Sequence, residues 1–182
     1  LYRLYDRDPE AFGELYDNYA PRIYRYIYFK VATRFEAEDL TAEVFLKTWE
    51  YVHKREKRIT SFQAFVYRLA RNIVVDHYRS RVQQNEHNIE DDKLTNIPVP
   101  SENSSEEILI RETDMAAVQT ALQKLKEEYR EAIVLRYIEG YSIGEIAKIL
   151  EKSKGAVRVT THRAVEALKN ELETIESTIQ KK

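Results

Sequence analysis

Four glycines and four prolines are all that interrupt 182 residues, and this scarcity constrains the fold more than any other feature. Both residue types break regular structure, so a chain nearly free of them inside its periodic stretches can run as helices. Apolar residues there recur at three- and four-residue intervals, the spacing of one helix face. Pro9 and Pro21 lie near the start and Pro98 and Pro100 mid-chain, while Gly140, Gly144 and Gly155 cluster late. The pattern predicts an almost wholly helical chain.

Local signals mark the individual helices. Asp8 before Pro9 reads as an N-cap with proline in the first turn, and Phe12, Leu15, Tyr16 and Tyr19 share the face behind it. Ala20-Pro21 reads as a restart, after which Ile23, Ile27 and Val31 continue the apolar side. Thr33-x-x-Glu36 has capping-box spacing and is followed by Leu40, Val44, Phe45 and Trp49 as a buried face. Residues 53–61, HKREKRITS, have no helical period and read as a basic loop. Thr60-x-x-Gln63 is expected to cap a fourth helix whose core face is Phe62, Phe65, Val66, Leu69 and Ile73.

Later, a helix around residues 106–126 carries Val118, Ala121, Leu122 and Leu125, and another runs from about Glu127 to Ile138, closed by Glu139-Gly140. Ser142-x-x-Glu145 opens the short helix IGEIAKIL. The turn Glu151-Lys152-Ser153 follows, and Ser153 caps a last helix reaching about residue 175. Two short helices joined in this way form a helix-turn-helix.

Charge supplies the larger organisation. Residues 1–81 carry 15 basic side chains against 12 acidic, and residues 113–182 carry 12 against 11. Residues 82–112 carry two against eight and hold both mid-chain prolines, so the stretch reads as a flexible acidic linker. The expected fold class is all-α. Two small helical domains, 1–82 and 113–182, are joined by the linker at 83–112, and the second ends in the helix-turn-helix. A net charge of −2 excludes a chain that coats nucleic acid by bulk charge. The lack of cysteine excludes disulfides, thiolate catalysis and sulfur-ligated zinc. No apolar run approaches the roughly 20 residues needed to cross a bilayer, and nothing resembles a signal peptide. A soluble, cytoplasmic chain is expected, and its start at Leu1 reads as trimming.

Three constellations bear on function. With Val157 at the centre of a buried face, Thr161, Ala164 and Leu168 fall beside it, and Arg158, Val159, His162, Arg163 and Glu166 point outward or flank that side. Such a face suits phosphate contacts and base edges in a major groove. Between residues 53 and 81, Arg68, Asn72, Val75 and Arg79 form a stripe with Arg71 beside it and aromatics interleaved. Unpaired nucleic acid needs that combination of cations and flat partners, although Phe62 and Phe65 are better placed in the core. The acidic helix start EAEDLTAEVF, with Glu36, Glu38, Asp39 and Glu43, is favoured by the helix dipole and reads as a protein-docking face. His53, His77, His87 and His162 never reach metal-ligand spacing with one another. Asp76 and His77 project about 100° apart on a helix with no nucleophile to join them, so a hydrolase lacks a coherent site.

In this order the motifs resemble the extracytoplasmic-function sigma factors, the smallest two-domain sigma subunits of bacterial RNA polymerase. EAEDLTAEVFLKTW is similar to that family's polymerase-binding helix, FQAFVYRLARNIVVDHYRSR to its promoter-melting helix, and the stretch from ALQKLKEEYREAIVLRYIEG through GAVRVTTHRAVEALK to its C-terminal helix-turn-helix. The resemblance implies a non-enzymatic factor, without cofactor or small-molecule substrate, that binds core RNA polymerase, directs it to promoter DNA and assists opening. It implies that Glu38, Asp39, Glu43 and Phe45 dock on the polymerase clamp. It places the 53–61 loop with Arg68, Arg71, Asn72 and Arg79 on the minus-ten element, and Arg136, Arg158, Val159, His162 and Arg163 on the minus-thirty-five element. The family commonly has an anti-sigma partner as well.

Departures from the family pattern are Ala42 for a usual glutamine, Phe65 for tryptophan, Ala156 for threonine, and Thr160 and Val165 where basic residues are common. Fewer cations weaken phosphate anchoring. Together with an acidic linker able to compete for the basic track, this predicts weak duplex binding by the chain alone. The competing reading is a free-standing helix-turn-helix regulator.

Overall fold

The computed structural model describes residues 8–54, 59–85 and 118–179, with side chains except at 82–85 and 175–179. Asp8 Oδ1 accepts hydrogen bonds from the amides of Glu10 (3.0 Å) and Ala11 (3.3 Å) and starts α1 (Pro9–Tyr28), as its cap signature predicts. The expected restart at Pro21 does not occur, because α1 runs through it unbroken. An interior proline costs about 3 kcal/mol, but the turns beyond it carry Ile23, Tyr26 and Ile27, all fully buried. Packing outweighs the lost hydrogen bond.

The Thr33–Glu36 capping box opens α2 (Arg34–Lys54): Thr33 Oγ1 accepts from the Glu36 amide at 3.1 Å, and Glu36 Oε2 from the Thr33 amide at 2.9 Å. His53 and Lys54, placed by the sequence in a loop, complete α2, and residues 55–58 lie outside the described residues. The cap of α3 (Phe62–Asn85) is Ser61, not Thr60; its hydroxyl accepts from the Ala64 amide at 3.3 Å. Phe62 is buried as the first helical residue, so the cap falls to its neighbour. The helix reaches Asn85, inside the stretch read as linker, because nothing in VQQN breaks it. Edge-on ring pairs Phe12–Trp49 (4.8 Å), Tyr16–Phe45 (4.8 Å) and Tyr19–Phe62 (5.1 Å) stitch α1 to α2 and α3.

The second group begins with α4, described over 118–124, and the rest of the helix expected from 106 lies outside the described residues. Arg130 closes its end, donating to the carbonyls of Leu122 (2.8 Å) and Gln123 (2.6 Å). The helix α5 (Glu127–Ile133) continues directly into a π-helical turn (Val134–Ile138), whose widened hydrogen bond runs from the Glu139 amide to the Val134 carbonyl at 2.9 Å. Gly140 then reverses the chain at φ +75°, a left-handed conformation that glycine adopts without a Cβ clash. Two helices, α6 (Ile143–Leu150) and α7 (Lys154–Ile179), complete the group.

The described residues are thus all-α, in two helical groups. These are the two small helical groups that the sequence reading expects, and their buried apolar residues form one cluster. The reason lies on α3, which has two apolar faces: Tyr67, Ala70 and Val74 are buried as completely as Val66 and Ile73. Tyr67 meets Tyr141 edge-on at 5.3 Å and Tyr26 at 5.2 Å.

Candidate nucleic-acid interface

Both helices of the helix-turn-helix are capped at their N-termini. Ser142 Oγ accepts from the Glu145 amide at 3.3 Å while Glu145 Oε2 accepts from the Ser142 amide at 2.9 Å. Hydrogen bonds from the Ser142 hydroxyl and amide hold the Glu145 carboxyl below the ordinary glutamate range. Glu151 makes the turn at φ 55°, and Ser153 Oγ accepts from the Ala156 amide at 3.1 Å to start α7. Val157, Thr161 and Ala164 are buried, as their spacing predicts. Arg158, Val159, His162 and Arg163 stand exposed on the opposite face, with Val159 51% accessible. His162 faces only a distant exposed partner, Glu166 at 3.7 Å. Arg136 is not part of that face: half-buried, it donates to the Tyr141 carbonyl at 2.8 Å and braces the approach to α6.

On α3 the four strand-holding candidates separate. Asn72 and Arg79 are exposed, Arg79 lying 3.7 Å from Asp76. Arg68 and Arg71 turn toward the second group instead, where Arg68 pairs with Glu151 and Arg71 Nε lies 3.4 Å from Glu131 Oε2. The structure brings the stripe to one helix and then divides it between solvent and seam.

The acidic face of α2 is open at Glu38 and Asp39 and half-open at Glu43. Glu38 pairs with Arg34 at 2.8 Å and Glu43 with Lys47 at 2.7 Å, both one turn away. Phe45 does not belong to this face: at 3% exposed it is core, its ring against Tyr16, and it has no surface to lend a partner. Phe35 (71% exposed) and Leu46 (59%) do, and the sequence reading missed them. Their signal was present, since apolar residues one and three turns along a polar stripe are conspicuous on a helical wheel. Ala42 is exposed and lines a cleft of about 430 Å³ between α1 and α2 with Tyr16, Pro21 and Tyr24. Glu36 faces away, its carboxylate taken by the amides of Ala32 and Thr33, by His77 (3.2 Å) and by Arg81 (2.8 Å).

Two carboxylates that nothing in the sequence singles out are buried where the groups meet. The Glu139 side chain is fully buried and accepts from Arg22 Nε (3.1 Å), Arg25 Nε (2.9 Å) and the Tyr67 hydroxyl (3.1 Å). Its own carbonyl accepts from Arg22 at 2.9 Å. Glu131, 3% exposed, accepts from the Tyr26 hydroxyl and from Lys30 Nζ at 3.2 Å. Burial and the adjoining Glu131 push the Tyr26 hydroxyl far up from its usual range, and burial with the Tyr141 hydrogen bond does the same to Tyr67. Both phenols stay protonated and can donate. Its hydrogen bonds to the Glu139 carboxylate hold Arg25 more firmly protonated than usual.

Asp76 and His77 diverge, one toward Arg79 and the other toward Glu36. Among the described residues no three or more carboxylates and imidazoles gather where they could hold a metal ion. No described helix is long and apolar enough to cross a membrane.

Comparison with known proteins follows the same division. The family model for Sigma-70 region 2 matches residues 15–84, and that for Sigma-70, region 4 matches residues 115–168. The chain is 33% identical over 164 residues to the ECF RNA polymerase sigma factor BldN of Streptomyces coelicolor, covering 88% of this chain and 60% of that protein. It is 27% identical to the ECF RNA polymerase sigma factor SigX of Bacillus subtilis, over 91% of this chain and 86% of that one. The fold is similar to that of the sigma factor RpoE solved with the anti-sigma factor NepR from Bartonella quintana, with a TM-score of 0.73 and 20% identity over 90% of this chain and 98% of that one.

Proposed function

The chain belongs to the extracytoplasmic-function sigma factors of the sigma-70 family, and from that premise we propose how its surfaces divide the work of transcription initiation. It is a promoter-specificity subunit. It binds core RNA polymerase, directs it to selected promoters and assists opening, while the polymerase performs the chemistry. The observation that carries this reading is the capped helix-turn-helix with Arg158, Val159, His162 and Arg163 exposed together on α7, a face of the right size and charge for a major groove. These four read the minus-thirty-five element, and Arg136 supports the turn that aims them.

Asn72 and Arg79, joined by Arg68 and Arg71, hold the opened minus-ten strand. Unstacking a base costs a few kcal/mol, which strand contacts offset. Glu38, Asp39 and Glu43, flanked along α2 by exposed Phe35 and Leu46, form the polymerase-docking face, an anionic patch with an apolar side chain at each end. In this reading the protein works in the cytoplasm, in a region 2 unit and a region 4 unit, and an anti-sigma factor is a further partner. Run-off transcription with core polymerase on a promoter library tests it. Transcripts from a restricted promoter set are expected. Nanomolar, sequence-specific duplex binding by the chain alone, with no transcript on adding polymerase, would replace it with a free-standing regulator.

A further inference from the structure

Of the four α7 side chains assigned to duplex, Arg158, Val159, His162 and Arg163, only Val159 can neither donate nor accept a hydrogen bond. It is also the one nearest the centre of the face. At about 100° per residue it projects about 160° from Val157 and Thr161, both buried, and about 180° from Leu168. Val159 therefore points almost directly away from the core that those residues enter, and it stands 51% exposed.

Its surroundings favour a close approach. One turn earlier, Gly155 and Ala156 are exposed and carry no more than a methyl group, so no long side chain there holds the helix off a surface facing Val159. Long cations stand to its sides, Arg158 about 100° one way and Arg163 about 40° the other. Lys154, also exposed, opens the helix. Glu166, two turns on, is drawn to His162 at 3.7 Å. The face is a short apolar centre with cations beside it.

Duplex DNA is the occupant whose chemistry this matches. Phosphates border the major groove where the cations reach, and the floor presents hydrogen-bonding atoms at every base pair. Its one apolar group is the C5-methyl of thymine. Valine over adenine N6 and N7, guanine O6 and N7, or cytosine N4 strips water from a polar atom without replacing the hydrogen bond, which is unfavourable. Over thymine it meets a methyl group, and both partners withdraw apolar surface from water.

We propose that Val159 is a specificity-determining residue, selecting promoters that carry a thymine beneath the middle of α7 by packing on its C5-methyl. This rests on the sigma-factor reading above and deepens it by naming the base and the group on it. Arg158 and Arg163 donate to bases and phosphates on either side.

Uracil is thymine without the methyl and pairs with adenine in the same way, so it isolates the contact. Run-off transcription first selects a promoter from the library. Each thymine of its upstream element, on both strands, is then replaced singly by deoxyuridine, and closed-complex binding is titrated. The chain alone is expected to bind duplex weakly, and the acidic linker invoked for that lies, beyond Asn85, outside the described residues. Holoenzyme is therefore the species titrated. One position is expected at which losing the methyl weakens binding about fourfold, the worth of one buried methyl group. Val159→Ala should bind the thymine and deoxyuridine forms equally at that position, with its helical circular dichroism unchanged. No methyl-sensitive position in the parent, an upstream element without thymine, or a fourfold ratio that survives in Val159→Ala overturns the assignment while transcription persists. Absence of any transcript from the library overturns the sigma-factor reading, and the assignment with it.

Discussion

Glu36→Gln is the substitution whose effect the structure specifies most fully. The carboxylate accepts from the Ala32 and Thr33 amides and the Thr33 hydroxyl, and pairs with His77 and Arg81 across on α3. Its side chain is 17% exposed, so solvent screens these contacts only partly. Partial burial pushes its pKa up, but the Thr33 and His77 hydrogen bonds and the Arg81 charge more than reverse that and leave it below the ordinary value of 4.5.

Glutamine keeps an acceptor oxygen for the cap and loses the charge. A hydrogen bond to an ionised group is worth about 1.5–3 kcal/mol, and part of one is retained, so the net loss near neutral pH is about 2 kcal/mol. With one core through both groups, that corresponds to a fall in melting temperature of roughly 4–8 °C. The sign with pH follows from linkage. Because the folded pKa is depressed, the stabilisation is complete above the unfolded value and disappears as pH falls through the folded one. Thermal melts followed by far-UV circular dichroism should therefore show a gap between parent and variant near neutral pH that narrows and then closes as the pH falls below the ordinary glutamate range. Equal melting temperatures at neutral pH, or a gap undiminished in acid, would refute the account.

Reversing Asp39 and Glu43 to lysine should weaken core-polymerase binding sharply with the helical signal unchanged, and an unaltered pull-down would remove α2 from the docking surface. Arg158→Ala should lose upstream-element discrimination, by about 1–3 kcal/mol for a bidentate guanine contact. Asn72→Ala should instead bind closed promoter normally and open it poorly. Permanganate footprints showing equal opening by both would end that division of labour.

The helices were legible because their signals are local. Asp8-Pro9, Thr33-Glu36, Ser142-Glu145 and Ser153 all do in three dimensions what their spacing predicts, since a cap depends only on the four residues around it. The outward face of α7 was legible for the same reason, being the complement of a periodic buried one. What escaped were decisions made by distant partners. Pro21 is overridden by the core beyond it. Glu131 and Glu139 sit in a charged stretch that looks like an ordinary solvated helix face, and only Arg22, Arg25 and Lys30, roughly a hundred positions earlier, explain their burial.

The widened turn at Val134–Ile138 carries an implication for lineage. A π-helical turn accommodates one residue more than regular pitch requires, so it is where a helix absorbs a single-residue insertion without unravelling. Losing any one residue there would restore regular winding and leave everything downstream close to its present orientation relative to α5. Glu131 and Glu139 would both keep their basic partners. The turn thus lets this helix change its length by one codon while the contacts between the two helical groups stay in place.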